Sequence, residues 1–375
     1  TEVCHHADLA RDWDPATLDR ALWCLDDRRS DLAAQVRELA DADASAVHRA
    51  VPAVSRVTID GRCSDAAWLQ RQPSPPTRGR AELITTRAAL SRVESLHYAG
   101  KYADAVALAT TTRSRAEALA WPPILAAAWL AEGLALVADG AYPRAEAALA
   151  SAYYLAARED AWTTASDAAN ELIFLIGYKL ARPAEARAWF RHAEVAAVHA
   201  GDPTGLVAAR RLGELATALD LAGDYRESEA LYRQAITLDE RALGPDHPQL
   251  AVTLNNLGSL LLATGDYAEA GALLTRSLAI RSASLGPDHP DLAQSLGNLA
   301  SVHVALGDYA TARAEQAEPA AREALVALVD AFQKGQDIHT RTSMEVFGVP
   351  AEEVAFDESA FIQQDRKSTR LNSSH

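Results

Sequence analysis

The sequence predicts an all-α solenoid of helix–turn–helix units, and three observations predict it. The hexapeptide LGPDHP stands at residues 243–248 and again at 285–290, an interval of 42 residues. The triplet GDY recurs at Gly223, Gly265 and Gly307 with the same interval. Alanine and leucine dominate, while Phe, Met and the β-branched residues are sparse, which favours helix. Two prolines and a glycine have no place inside a helix or a central strand, so each hexapeptide punctuates the chain between elements.

Taken in chain order, residues 1–78 lack the repeat. Within DPATLDRALWCLDDRRSDLAAQVRELADAD, Leu18, Leu22, Leu25, Leu32, Val36 and Leu39 recur at helical spacing, and Asp14 with Pro15 reads as the helix start. ADASAVHRAVPAVSRV (42–57) reads as a shorter helix, and RQPSPPTRGR as a proline-rich linker. Residues 79–322 then carry six repeats. Upstream copies of the glycine turn are GKYADA at Gly100, GAYPRAEA at Gly140 and ARPAEARA near Ala181, where Pro183 replaces the tyrosine found at Tyr225, Tyr267 and Tyr309.

Five residues past each glycine comes a small residue: Ala105, Ala145, Ala186, Ser228, Ala270 and Ala312. Seven further on comes another, Thr112, Ala152, Ala193, Ala235 or Ser277. Seven residues are two helical turns, so both small residues lie on one face that a second helix can approach closely. A bulky Leu149, Phe190, Tyr232 or Leu274 between them fills the adjoining gap.

This pattern resembles the tetratricopeptide repeat, with its small residue in the middle of the first helix (Gly133, Ala216, Gly258, Ala300), then G-x-Y and the two small residues of the second helix. The long period and the LGPDHP connector resemble the kinesin-light-chain subtype. The connector is expected to end one helix with Gly244 in a left-handed conformation and to cap the next through Asp246, with Pro248 in its first turn. The resemblance implies a right-handed superhelix whose concave face, lined by the first helices, binds a protein or peptide. Asn256 and Asn298, with Asn255 adjacent, match the first-helix asparagines that grip peptide backbone in such repeats. Arg210 and Arg211 would add positive charge for an acidic peptide. Lys101 and Lys179 lie too far from the asparagines to clamp a C-terminal carboxylate.

In residues 1–78, CLDDRRSDL, DADASAVHRAV and CSDAAWL resemble the segment joining kinase domain to repeats in large bacterial, myxobacterial-type serine/threonine kinases. No G-x-G-x-x-G-x-V, H-R-D or D-F-G motif occurs, so the resemblance implies a regulatory, non-catalytic half. The repeat region of a nucleotide-switch transcriptional regulator is the alternative. Past Gly307 the sixth repeat breaks at Pro319. In residues 323–364, Phe332, Asp337 to Thr342 and the EVFGVP run resemble family A DNA polymerases, without the catalytic motifs on either side. Residues 365–375, DRKSTRLNSSH, resemble a translated sequencing adapter, and the succession implies a misassembled gene.

The formal net charge of −15 argues against nucleic acid or anionic membrane as a partner. No signal pattern or membrane-length apolar run appears, which reads as cytoplasmic. Cys4, Cys24 and Cys63 are too few and too irregularly spaced for a disulfide framework, so reduced thiols are expected. Cys4-His5-His6 is a poor zinc pattern, and His247 and His289 read as turn residues. No metal, cofactor or catalytic residue is called for.

Overall fold

The computed structural model describes residues 13–40, 61–201, 205–285 and 290–307. Tyr309, Ala312, Pro319, Cys4-His5-His6, His289, residues 42–57 and the polymerase-like and adapter-like segments lie outside the described residues. All thirteen regular α-helices there run in chain order. They are α1 (Pro15–Ala40), α2 (Ala66–Gln70), α3 (Arg80–Tyr98), α4 (Tyr102–Glu117), α5 (Pro122–Ala138), α6 (Tyr142–Arg158), α7 (Trp162–Phe174), α8 (Pro183–Ala200), α9 (Leu206–Leu221), α10 (Tyr225–Leu243), α11 (Pro248–Thr264), α12 (Tyr267–Leu285) and α13 (Pro290–Ala305). The chain divides into two compact units after Asn256, within α11.

In the first unit α3 to α10 form four hairpins, and the expected all-α repeat class holds. Three of the four close through the glycine turn. Gly100, Gly140 and Gly223 take φ of 76°, 80° and 83°. The next amide reaches back five residues, from Lys101 to Leu96, Ala141 to Leu136 and Asp224 to Leu219, each at 2.9 Å. This hydrogen bond satisfies a carbonyl left over at the helix end. The degenerate third copy differs for a visible reason. A π-helical turn, Leu175–Lys179, adds a residue, so Arg182 reaches back six, to Ile176. Ala181 adopts φ of 52° in the glycine's place.

The small residues do what their spacing demands. Ala105, Ala145, Ala186, Ser228, Ala152, Ala193 and Ala235 have no exposed surface. At Gly133 an added Cβ would lie 2.6 Å from Leu149, so the bulky residue of the second helix fills the space left by the missing side chain of the first. Ion pairs then fasten neighbouring hairpins. Arg182 donates to both carboxylate oxygens of Glu146 at 2.9 Å, and Arg187 pairs with Asp224 at 3.0 Å.

Asp14 caps α1 as expected, its carboxylate accepting from the amides of Ala16 and Thr17. Most of the leucine stripe of α1, however, faces solvent: Leu22, Leu25, Leu32 and Val36 are exposed, while Leu18 packs beside Ala21 and Leu69. What α1 buries is Thr17, Ala21, Ala34 and Gln35, while Trp23 packs against Leu83, Ile124 and their neighbours on the first two hairpins. The expectation of reduced thiols is corrected here. Cys24 and Cys63 form a disulfide, Cα atoms 5.5 Å apart, because α1 and the short turn Gly61–Ser64 meet at that level. Closing an interval of 39 residues constrains the unfolded chain by roughly 4 kcal/mol in the loop-entropy account.

The connector departs from expectation at two residues. Gly244 has φ 88° but ψ 167°, an extended region essentially reserved for glycine rather than the left-handed helical one. The cap on α11 is His247, whose Nδ1 accepts from the Gln249 amide at 3.2 Å, in place of Asp246; Pro248 opens the helix as foreseen.

In the second unit, Gly258 repeats the arrangement of Gly133, an added Cβ there lying 2.7 Å from Cγ of Leu274. The turn after α11 has Gly265 at φ 91° and Asp266 bonded back to Leu261 at 2.9 Å. Ala270 and Leu274 are fully buried, and Leu292, Leu299 and Val302 of α13 are nearly so. Arg281 is also buried, donating to Oγ of Ser295 at 2.9 Å. Gly307 has φ 73° after α13, so the fifth glycine turn begins as its sequence dictates.

Candidate functional site

The first helices of the hairpins, α3, α5, α7 and α9, turn one side of the first unit into a groove of about 950 Å³, closed at one end by α1. Its floor is α5, where Ala127, Ala131, Leu134 and Ala138 present short apolar side chains. They follow one another at intervals of three or four residues and so share a helix face. The next helix contributes Thr163, Thr164, Asp167, Glu171 and Phe174 at the same periodicity. An apolar floor with polar side walls is the arrangement of a ligand groove.

The end wall is aromatic and tightly held. Trp23 of α1 meets Trp121 edge to face at 5.8 Å. The guanidinium of Arg87 lies 4.0 Å from the centre of the Trp23 ring, donates to the Trp23 carbonyl at 3.2 Å and pairs with Asp27. Burial pulls its pKa down to about 9. Ser91 donates to Asp31 at 2.7 Å. These contacts fix α1 as part of the groove, not a tether beside it.

Of the five residues expected at a peptide groove, Arg210 lines this one. Its Nε donates to Glu214 at 2.7 Å and its Nη2 to Glu171. Those carboxylates, Glu214 foremost, raise its pKa well above normal. Its charge is thus already matched. Arg211 is buried, its guanidinium 5.6 Å from the ring centre of Phe190, so it presents no surface charge to a peptide. Asn255 is 1 % exposed. Asn256 is half-buried and its side chain hydrogen-bonds the hydroxyl of Tyr232. Asn298 is half-buried on α13 in the second unit.

Sequence reasoning passed over the Trp23–Arg87–Trp121 wall. The available signal was tryptophan placement: all seven stand before residue 190, in the half of the chain where the repeats are most degenerate.

Comparison with known proteins agrees with the repeat geometry. The tetratricopeptide repeat family matches residues 212–280 and 249–323, so the chain carries tetratricopeptide repeats. No curated protein matches it. Similar solved structures include BtubC (BKLC) from P. vanneervenii, 22 % identical, covering 61 % of this chain and 90 % of that one with a TM-score of 0.49. TPR-like repeats named for a kinesin light chain of Podosopora anserina are 21 % identical, covering 67 % of this chain and 96 % of that one with a TM-score of 0.31. Repeats of this class make a protein-interaction scaffold, and among the described residues no helix is long and apolar enough to cross a membrane.

Proposed function

We propose that this chain is the peptide-binding, regulatory half of a bacterial serine/threonine kinase, acting as a non-catalytic scaffold in the cytoplasm. The observation that carries the binding role is the groove itself. About 950 Å³ is walled mainly by side chains of α1, α3, α5, α7 and α9, and the Ala127–Ala131 floor is shallow enough for a polypeptide backbone to approach. The kinase origin rests on CLDDRRSDL, DADASAVHRAV and CSDAAWL in residues 1–78. Asn298, on α13 of the second unit, belongs to the proposal as a contact for peptide backbone, whereas Asn256 is engaged by the Tyr232 hydroxyl. The alternative, the repeat region of a nucleotide-switch regulator, is distinguished by the gene upstream of Thr1: H-R-D and D-F-G support the kinase, G-x-x-x-x-G-K-[ST] the regulator.

Binding is tested by placing a photo-crosslinking amino acid at Ala127 in the groove and, separately, at Val198 on α8. A partner polypeptide trapped at Ala127 but not at Val198 is expected. Trapping at Val198 alone would move the binding surface to the second helices.

A further inference from the structure

We propose that the outer face of α1 is a self-association surface on which a second copy of this chain docks antiparallel, helix against helix. Leu18, Leu22, Leu25, Arg29, Leu32 and Val36 follow one another at alternating intervals of four and three residues, the spacing of a coiled-coil seam with a single polar position. Leu22, Leu25, Leu32 and Val36 are 52, 43, 53 and 57 % exposed, so four large apolar side chains of one helix meet solvent together. Exposed apolar residues grouped on one face mark an interaction surface. The opposite side of α1 is the anchored one. Trp23, Asp27 and Asp31, about half a turn round the helix from the stripe, hold it to the first two hairpins through the cluster of Leu83 and Ile124, through Arg87 and through Ser91. The stripe therefore stands on a fixed helix, and pairing through it leaves the groove residues where they are.

Charge selects the occupant. Residues 15–40 carry five acids and four arginines, nearly balanced in a chain of net charge −15, so the helix suits another copy of itself better than a strongly charged partner. Its middle reads Asp26-Asp27-Arg28-Arg29, two acids and then two bases. A parallel pair would set Arg29 against Arg29 in the seam, a like-charge clash. An antiparallel pair turns that clash into an attraction. With Leu22 opposite Leu32 and Leu18 opposite Val36 of the second copy, Arg29 faces Leu25 and reaches the neighbouring Asp26, and the two-fold axis repeats each contact. Asp26 and Arg29 already pair within one helix, with 77 % of the Arg29 side chain exposed. Docking lets each take the other's counterpart across the seam.

The test uses the full chain. Sedimentation velocity over a concentration series should show a reversible monomer–dimer equilibrium. Leu25→Asp combined with Leu32→Asp should weaken the dimer at least tenfold and leave the helical circular dichroism unchanged, since both side chains are exposed. Arg29→Asp alone should also weaken it at least tenfold. Adding Asp26→Arg to Arg29→Asp should restore it, because the swapped helix is again complementary to itself. A wild-type chain that stays monomeric up to about 100 µM would overturn the proposal. In that case a lowered melting temperature for the Leu25→Asp, Leu32→Asp chain would assign the stripe to another segment of the same chain, such as residues 41–60. A dimer indifferent to Leu25 and Leu32 would overturn it too, by placing the contact elsewhere on the molecule, and a charge swap that fails to rescue would rule out the antiparallel pairing.

Discussion

The hydroxyl of Tyr232 on α10 lies 2.9 Å from Oγ1 of Thr217 on α9, inside a hairpin where Tyr232 is 1 % exposed. Asn256 of α11 reaches the same hydroxyl. Burial pushes the phenol's pKa up, so the group stays a neutral donor. One buried oxygen thus connects three successive helices.

Tyr232→Phe removes that oxygen and leaves Thr217 and Asn256 to find other partners. The expected loss is about 1–2 kcal/mol in urea unfolding. Asn256→Ala should cost about 1 kcal/mol through the same node. Unchanged unfolding midpoints for both would mean that water replaces the hydroxyl without penalty.

Ala181 occupies a turn position filled by glycine in the neighbouring copies, at φ 52°. An L-residue in this region carries about 1 kcal/mol of strain. Ala181→Gly should therefore stabilise the chain by roughly 0.5–1 kcal/mol, and Gly140→Ala should destabilise it by a similar amount. Thermal or urea unfolding that moved in the opposite directions would rule out strain at this turn.

Asp239 is 2 % exposed, and burial raises its pKa to about 6. An acid whose folded pKa exceeds its unfolded value favours the folded state most when protonated. Its contribution is present below about pH 4 and is lost as pH rises through about 6. At pH 7.5 the penalty is about 1–3 kcal/mol. Asp239→Asn should relieve it, and the stability difference between variant and wild type should shrink from pH 7.5 to pH 4. A difference independent of pH would show that Asp239 keeps its proton balance on folding.

Gly133 leaves 2.6 Å between an added Cβ and Leu149. Gly133→Ala should cost about 1–3 kcal/mol by overpacking. Shortening the opposing side chain with Leu149→Ala should recover part of that, with a coupling of about 0.5–3 kcal/mol in a double-mutant cycle. Strict additivity would show that the two helices separate rather than interlock.

The periodic part of the fold was readable because it is imposed by sterics: a turn that needs positive φ selects glycine at 100, 140, 223 and 265, and close helix contact selects alanine at 145, 186 and 270. The site was much less readable. Arg210 and Arg211 look alike in sequence, yet the neighbouring Glu171 and Glu214 claim the first and Phe190 covers the second. Asn256 looks like a groove residue until Tyr232, a residue at a position otherwise apolar, turns out to carry a hydroxyl that it satisfies. Nor does spacing within a single strand of text reveal that Cys24 meets Cys63, since their approach depends on how the chain returns to α1. Long-range pairing of this kind has no periodic signature.

The central claim is that partners bind the groove formed by the first helices, and the affinity of a crosslinked partner, remeasured by titration calorimetry, tests it most directly. Ala127→Trp and Thr164→Trp fill the groove from α5 and α7, while Val198→Arg, at a residue 78 % exposed on α8, alters a second helix. With all three variants showing native helical content, the groove substitutions should weaken binding at least tenfold, about 1.4 kcal/mol, and Val198→Arg should leave it unchanged. Full affinity in both groove variants, with loss in Val198→Arg, would contradict the account.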